Sequence, residues 1–205
     1  MKIGIDFDNT IVNYDGVFHA AALDRGLIDA SVGTDKNAVR DHLNGSGRNN
    51  EFTELQGYVY GARMDLAKTY TGVKEFVAKA FKAGHALYIV SHKTRHPIAG
   101  PQYDMHEAAR GFLINAGLMG ESDGMIPPNQ TFFEMTKEEK MARAGALGVD
   151  VFIDDLPEIL DMPGLKSEAT KILFDPLSRH TPATDVEAVA SWHDITALLL
   201  DGRAH

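Results

Sequence analysis

The sequence predicts an α/β fold, a parallel sheet flanked by helices, with a small helical insertion after the first strand. Three observations carry this. Short apolar runs recur along the chain: "KIGIDF" (2–7), "ALYIVS" (86–91), "DVFID" (150–154) and "KILFD" (171–175). Each is bounded by polar or turn residues, and none alternates polar with apolar, as expected of strands buried on both faces. Helix-like stretches separate them, which is the signature of parallel-sheet architecture. The alternation breaks only from about Tyr14 to Lys68, where helical pieces occur without a convincing strand.

The helices follow in order. Within the insertion lie "GVFHAAALDRGL", "DKNAVRDHL" and "NEFTELQGYVYGARMDLAK", and the Gly- and Asn-rich "NGSGRNN" (44–50) is expected as a mobile loop. "GVKEFVAKAFKAG" (72–84) places Val73, Phe76, Val77, Ala80 and Phe81 on one face, with Gly84 as its stop. "YDMHEAARGFLINAG" (103–117) and "TKEEKMARAGALG" (136–148) follow the same logic, the latter with Thr136 and Glu139 spaced as a capping box. A last helix is predicted over 184–200. Residues 1–13 and 69–205 would then form the core, and 14–68 the insertion.

Composition narrows the possible functions. With 20 Lys+Arg against 29 Asp+Glu, the net charge of −9 argues against nucleic-acid backbones or anionic membranes as partners. The absence of cysteine excludes disulfides, thiolate metal sites and Cys nucleophiles. No apolar run approaches the roughly 18 residues of a membrane span, and the start shows no secretory signal pattern. A cytoplasmic protein is the expectation; no feature indicates an oligomeric state.

Ligands of open α/β sheets bind outside the carboxyl ends of the strands. The first strand ends in Asp6 and Asp8, with Thr10 two residues on; the second ends in Ser91; the third ends in Asp154 and Asp155. Lys140 lies on the helix leading into that third strand, and Lys137 competes with it for a site role. Such a gathering of carboxylates is unfavourable without countercharge. A hard divalent cation such as Mg²⁺ would relieve it through oxygen ligands and leave Lys140 and Ser91 for an anion. Positioning plus charge neutralisation is what phosphoryl transfer requires.

These residues carry a family resemblance. "DFDNT" resembles the D-x-D-x-T signature of the haloacid dehalogenase-like (HAD) superfamily, "LYIVS" its second motif, Lys140 its third-motif lysine and "VFIDD" its acidic fourth motif. The four occur in the expected order over residues 1–13 and 69–175. The resemblance implies a Rossmann-like core, with Asp6 as nucleophile forming an aspartyl-phosphate and Asp8 as general acid and base. It also implies Mg²⁺ held by Asp6, the Asp8 carbonyl, Asp155 and Asp154, with Asp155 favoured as the direct ligand. Ser91 would hydrogen-bond the phosphoryl group and Lys140 would stabilise its charge. Dehalogenases of the superfamily lack an acid at the second aspartate's position, so Asp8 favours phosphoester hydrolysis.

In relatives, an insertion after the first motif forms a helical cap, the expectation for residues 14–68. Phe18, His19, Arg48, Phe52, Tyr58, Tyr60 and Arg63 are leaving-group candidates there, although packing explains the aromatics better. The run "SHKTRHP" places His92, Lys93 and Arg95 just after Ser91 as substrate-binding candidates, with an exposed polar loop as the alternative. The expected activity is Mg²⁺-dependent hydrolysis of a small phosphorylated metabolite, a sugar phosphate or a nucleotide. The rivals are a phosphotransferase or phosphomutase, and a non-catalytic binding module.

Overall fold

Strand β1 (Lys2–Ile5) is the centre of a six-stranded sheet in the computed structural model, whose described residues are 1–202. Residues 203–205 of the expected core lie outside them. Two short strands, β2 (Val12–Asn13) and β3 (Lys68–Thr69), bracket the insertion as a two-stranded sheet. The large sheet is completed by β4 (Ala86–His92), β5 (Thr131–Glu134), β6 (Val151–Asp154), β7 (Thr170–Phe174) and β8 (Val186–Val189). Its order is β5-β4-β1-β6-β7-β8, every neighbouring pair parallel. The chain builds outward from β1 first on one side and then on the other. The carboxyl end of β1 is therefore the switch point where such sheets bind ligands.

The chain divides into two compact units. The first comprises residues 1–12, 69–93 and 114 onward; the second comprises 13–68 and 94–113.

In the first unit, α4 (Val73–Lys82) buries Val73, Phe76, Val77 and Ala80, while Phe81 stays half-buried. It stops before Gly84, whose φ of 77° is readily adopted only without a Cβ. Helix α6 (Lys137–Leu147) starts at the Thr136 capping box, with both reciprocal hydrogen bonds formed. A short α7 (Pro157–Leu160) follows β6.

Two expectations change here. The helix expected over 184–200 is a strand and a helix: β8 pairs with β7, and α8 (Trp192–Leu199) begins afresh at Ser191, whose side chain accepts from the Asp194 amide. Ladder pairing and a new N-cap override the helical spacing. Likewise β1 stops at Ile5, short of the apolar run 2–7. Its ladder ends with the Asp6 amide donating to Ile153 O at 2.9 Å. The chain then turns, with Asn9 at φ 58° and the amides of Ile11 and Val12 both donating to Phe7 O. The strand's period of two therefore does not set the direction of Asp8 relative to Asp6.

The second unit contains α1 (Val17–Asp24), α2 (Lys36–Gly45), α3 (Asn49–Ala62) and most of α5 (Met105–Asn115). Phe18 is buried and packs its ring against Phe52 at 6.1 Å and Tyr60 at 5.7 Å. The expected loop 44–50 is instead the end of α2, a tight turn and the start of α3. Arg48 fixes that turn by donating to Leu27 O at 2.8 Å and pairing with Glu51. Segment 94–113 joins this unit through contacts that need glycine. A Cβ on Gly57 would lie 2.5 Å from Pro97 Cβ, and one on Gly61 would overlap Tyr103.

Candidate active site

The site is built at the carboxyl ends of β1, β4 and β6, entirely within the first unit. Asp6 follows β1 directly and is 4% exposed, among the most buried charged groups of the chain. Its Oδ1 accepts from Lys140 Nζ at 2.6 Å and from Ser91 Oγ at 2.9 Å; its Oδ2 accepts from Thr10 Oγ1 at 3.3 Å. Lys140 comes from the first turn of α6, where the capping box sets the helix start. Its Nζ also donates to Asp154 Oδ2 at 2.5 Å. One buried ammonium thus bridges carboxylates from two adjacent strands, which removes part of their mutual repulsion. Burial opposes the charge on Lys140, but the attraction of Asp6 and Asp154 outweighs it and holds its pKa above the ordinary lysine value.

Asp154 ends β6 and Asp155 follows it directly. Burial, the largest cause, pushes the Asp154 carboxyl above the usual carboxylate range, with Lys140 opposing and Asp6 adding to the rise. Asp155 is pushed up by burial first, then by the charges of Asp6 and Asp154. Each of Asp6, Asp154 and Asp155 offers an oxygen within 4.8 Å of the others. A compact, oxygen-only, acidic donor set fits a hard divalent cation. Within that set Asp154 already uses both oxygens, one for Lys140 and one for the Leu156 amide at 3.0 Å.

Asp8 stands apart from this cluster. Its two carboxylate oxygens accept from Lys93 Nζ at 3.0 and 2.7 Å, and Lys93 is 5% exposed. Strand-end placement brings Lys93 near the site, but which carboxylate it meets has no local signal, because both residues lie beyond the ends of their strands. His92, the last residue of β4, is exposed. Arg95 lies in the second unit, where its Nε donates to Asp104 at 2.9 Å. Lys137 is half-exposed and pairs with Glu158 at 3.3 Å, while Lys140 is buried against Asp6. Behind the site, Trp192 Nε1 donates to the carbonyl of Thr10 at 2.9 Å, tying α8 to the loop after β1. That contact too had no local signal.

No protein-family profile matches the sequence, and no curated protein matches it. Solved structures do. A HAD-family hydrolase from Deinococcus radiodurans R1, with bound phosphate and sodium, is similar with a TM-score of 0.59 at 16% identity, over 98% of this chain and 95% of that one. The fold of this chain is HAD-like. A dehalogenase is similar with a TM-score of 0.59 at 14% identity, over 97% and 96% of the two chains. The HAD-hydrolase YfnB from Bacillus subtilis, bound to magnesium, is similar at 0.51 and 12% identity, over 97% of each chain. At such identities the likeness carries the HAD-like fold, and the chemistry rests on the residues. Among the described residues no helix is long and apolar enough to cross a membrane.

Proposed function

We propose that this protein is a Mg²⁺-dependent phosphatase that hydrolyses a small phosphorylated metabolite, a sugar phosphate or a nucleotide, through an aspartyl-phosphate on Asp6. The observation that carries the reading is the environment of Asp6: a buried carboxylate bracketed by Lys140, Ser91 and Thr10, beside Asp154 and Asp155, with a second carboxylate two residues on. Nucleophile, cation and hydroxyl converge where phosphoryl charge would need compensation. The HAD-like fold and the magnesium bound to one structural neighbour support the choice of ion.

Of the two Asp6 oxygens, Oδ1 is engaged by two donors, whereas Oδ2 has one long hydrogen bond. Oδ2 is therefore the better nucleophile. In the first step its electron pair forms a bond to phosphorus, the ester P–O bond breaks, and the leaving oxygen takes the proton of the Asp8 carboxyl. In the second step a water oxygen bonds to phosphorus and gives its proton to the Asp8 carboxylate. The bond from phosphorus to Asp6 breaks, which restores the carboxylate and releases inorganic phosphate. Lys140 and Ser91 bind and orient the phosphoryl oxygens. Asp6, Asp154 and Asp155 would hold Mg²⁺, which when bound supplies further charge neutralisation. Asp8 favours ester hydrolysis over dehalogenation, because a departing halide needs no proton.

Phosphate release from a panel of phosphorylated metabolites, with Mg²⁺ and with a chelator, tests the reading. Turnover that needs the metal and is abolished in Asp6→Asn is expected. A folded Asp6→Asn protein with wild-type turnover would overturn it.

A further inference from the structure

We propose that Lys93 is a positioning residue that aims the Asp8 carboxylate for proton transfer, a role that rests on the phosphatase reading of Asp6 and Asp8. Asp8 lies beyond the last ladder bond of β1 and bridges to Val12 across the turn at Asn9, so the pairing of β1 does not set its direction. Its side chain is 22% exposed, against 6% for Asp6. An unrestrained aspartate there would sample several rotamers, and misaimed proton transfer is slow.

Lys93 is built to supply the restraint. Its amide donates to Glu134 O at 2.8 Å, which extends the β4–β5 pairing one step past β4. Its Nζ lies 5.3 Å from the centroid of the Phe7 ring, and that ring is held edge-on by Phe133 of β5 at 5.7 Å. Backbone and aromatic support thus fix the ammonium from two sides, and it meets both oxygens of Asp8. The charge of Asp6 is met by Lys140, while Lys93 meets that of Asp8.

The test uses p-nitrophenyl phosphate, whose leaving group departs as a stable phenolate without a proton. Formation of the aspartyl-phosphate then makes little demand on Asp8, whereas its hydrolysis still does. In Lys93→Met, kcat should fall about tenfold or more while kcat/KM, which ends at the first irreversible step, falls much less. A burst of p-nitrophenol and acid-stable phosphoprotein should accompany the fall, and Lys93→Arg should recover most of kcat. With phenyl phosphate, which leaves as a poorer phenolate, kcat/KM should fall as well.

A lysine that merely supported the fold would lower both parameters together without a burst, and that result overturns the proposal, as does unchanged kinetics. If Lys93→Met does not fold, Lys93→Gln carries the same measurement. Failure of the phosphatase reading shows separately: wild-type protein would give no metal-dependent phosphate release, or Asp8→Asn would match wild type on phenyl phosphate. Either result removes the proposal with it. An impaired Asp8→Asn beside an unaffected Lys93→Met overturns the role of Lys93 alone.

Discussion

The Nζ of Lys140 lies 2.6 Å from Oδ1 of Asp6, although 134 residues separate them, and both side chains are almost wholly buried. The same ammonium reaches Asp154. Lys140→Met leaves two buried carboxylates without their cation. Removing one partner of a buried pair costs about 3–5 kcal/mol, and loss of a charge stabiliser at the reacting centre costs about a hundredfold in kcat. Denaturant titration and phosphate release check the two effects; full activity in this variant would refute the role given to Lys140.

The two acids ending β6 should separate by function. Asp154 spends its oxygens on Lys140 and the Leu156 amide, so Asp154→Asn is expected mainly to destabilise the fold. Asp155 is the more exposed of the two, and Asp155→Asn should weaken Mg²⁺ binding more than Asp154→Asn does. Calorimetric Mg²⁺ titration beside thermal melts distinguishes them. Greater metal loss in Asp154→Asn would reverse the assignment.

Stability should depend on pH through the same cluster. Asp154 is pushed up to about 7 and Asp155 up to about 8, from 3.8 in the unfolded chain. The folded protein therefore binds more protons between those limits. This contribution is fully present below pH 3.8 and is lost as pH rises through about 7 and 8. Mg²⁺ bound there would offset the loss, so its stabilising shift in Tm should be larger at about pH 8 than at about pH 5, since metal and protons compete for these oxygens. Melts in Mg²⁺ and in chelator at both values measure it; an equal or larger shift at the lower pH would contradict the account.

Trp192 links α8 to the site through Thr10. Trp192→Phe removes the indole donor to the Thr10 carbonyl and leaves that buried oxygen short of a partner, at about 1–3 kcal/mol. Because Thr10 Oγ1 also donates to Asp6, kcat should fall as well. Stability and turnover measured on one preparation show whether the two losses travel together. Unchanged turnover in a destabilised variant would confine Trp192 to packing.

Much of the core was legible because it is written in local pattern. The apolar faces of α4, at Val73, Phe76, Val77 and Ala80, and the Thr136–Glu139 capping box follow from spacing alone. The buried runs around Ile3, Ile89, Ile153 and Ile172 read as strands for the same reason. Strand β5 was not legible, because as a half-buried edge strand "TFFE" lacks the continuous apolar run that marks β1, β4, β6 and β7. In "DVEAVASW", apolar spacing fits a short strand as well as a helix, and only pairing with β7 decides between them.

By itself, the sequence determined that Asp6, Ser91, Lys140 and the Asp154–Asp155 pair stand at strand ends or on the adjoining helix. A parallel sheet brings such ends to one edge wherever its strands form. Tertiary structure alone decided which cation serves which carboxylate: Lys140 bridges Asp6 and Asp154, while Lys93 takes Asp8. The physical reason is reach. The Lys140–Asp6 and Lys93–Asp8 pairs and the bond from Trp192 to Thr10 join residues scores of positions apart, and the aim of Asp8 and Lys93 depends on a turn at Asn9 and a ladder step at Glu134. Local periodicity does not encode either one.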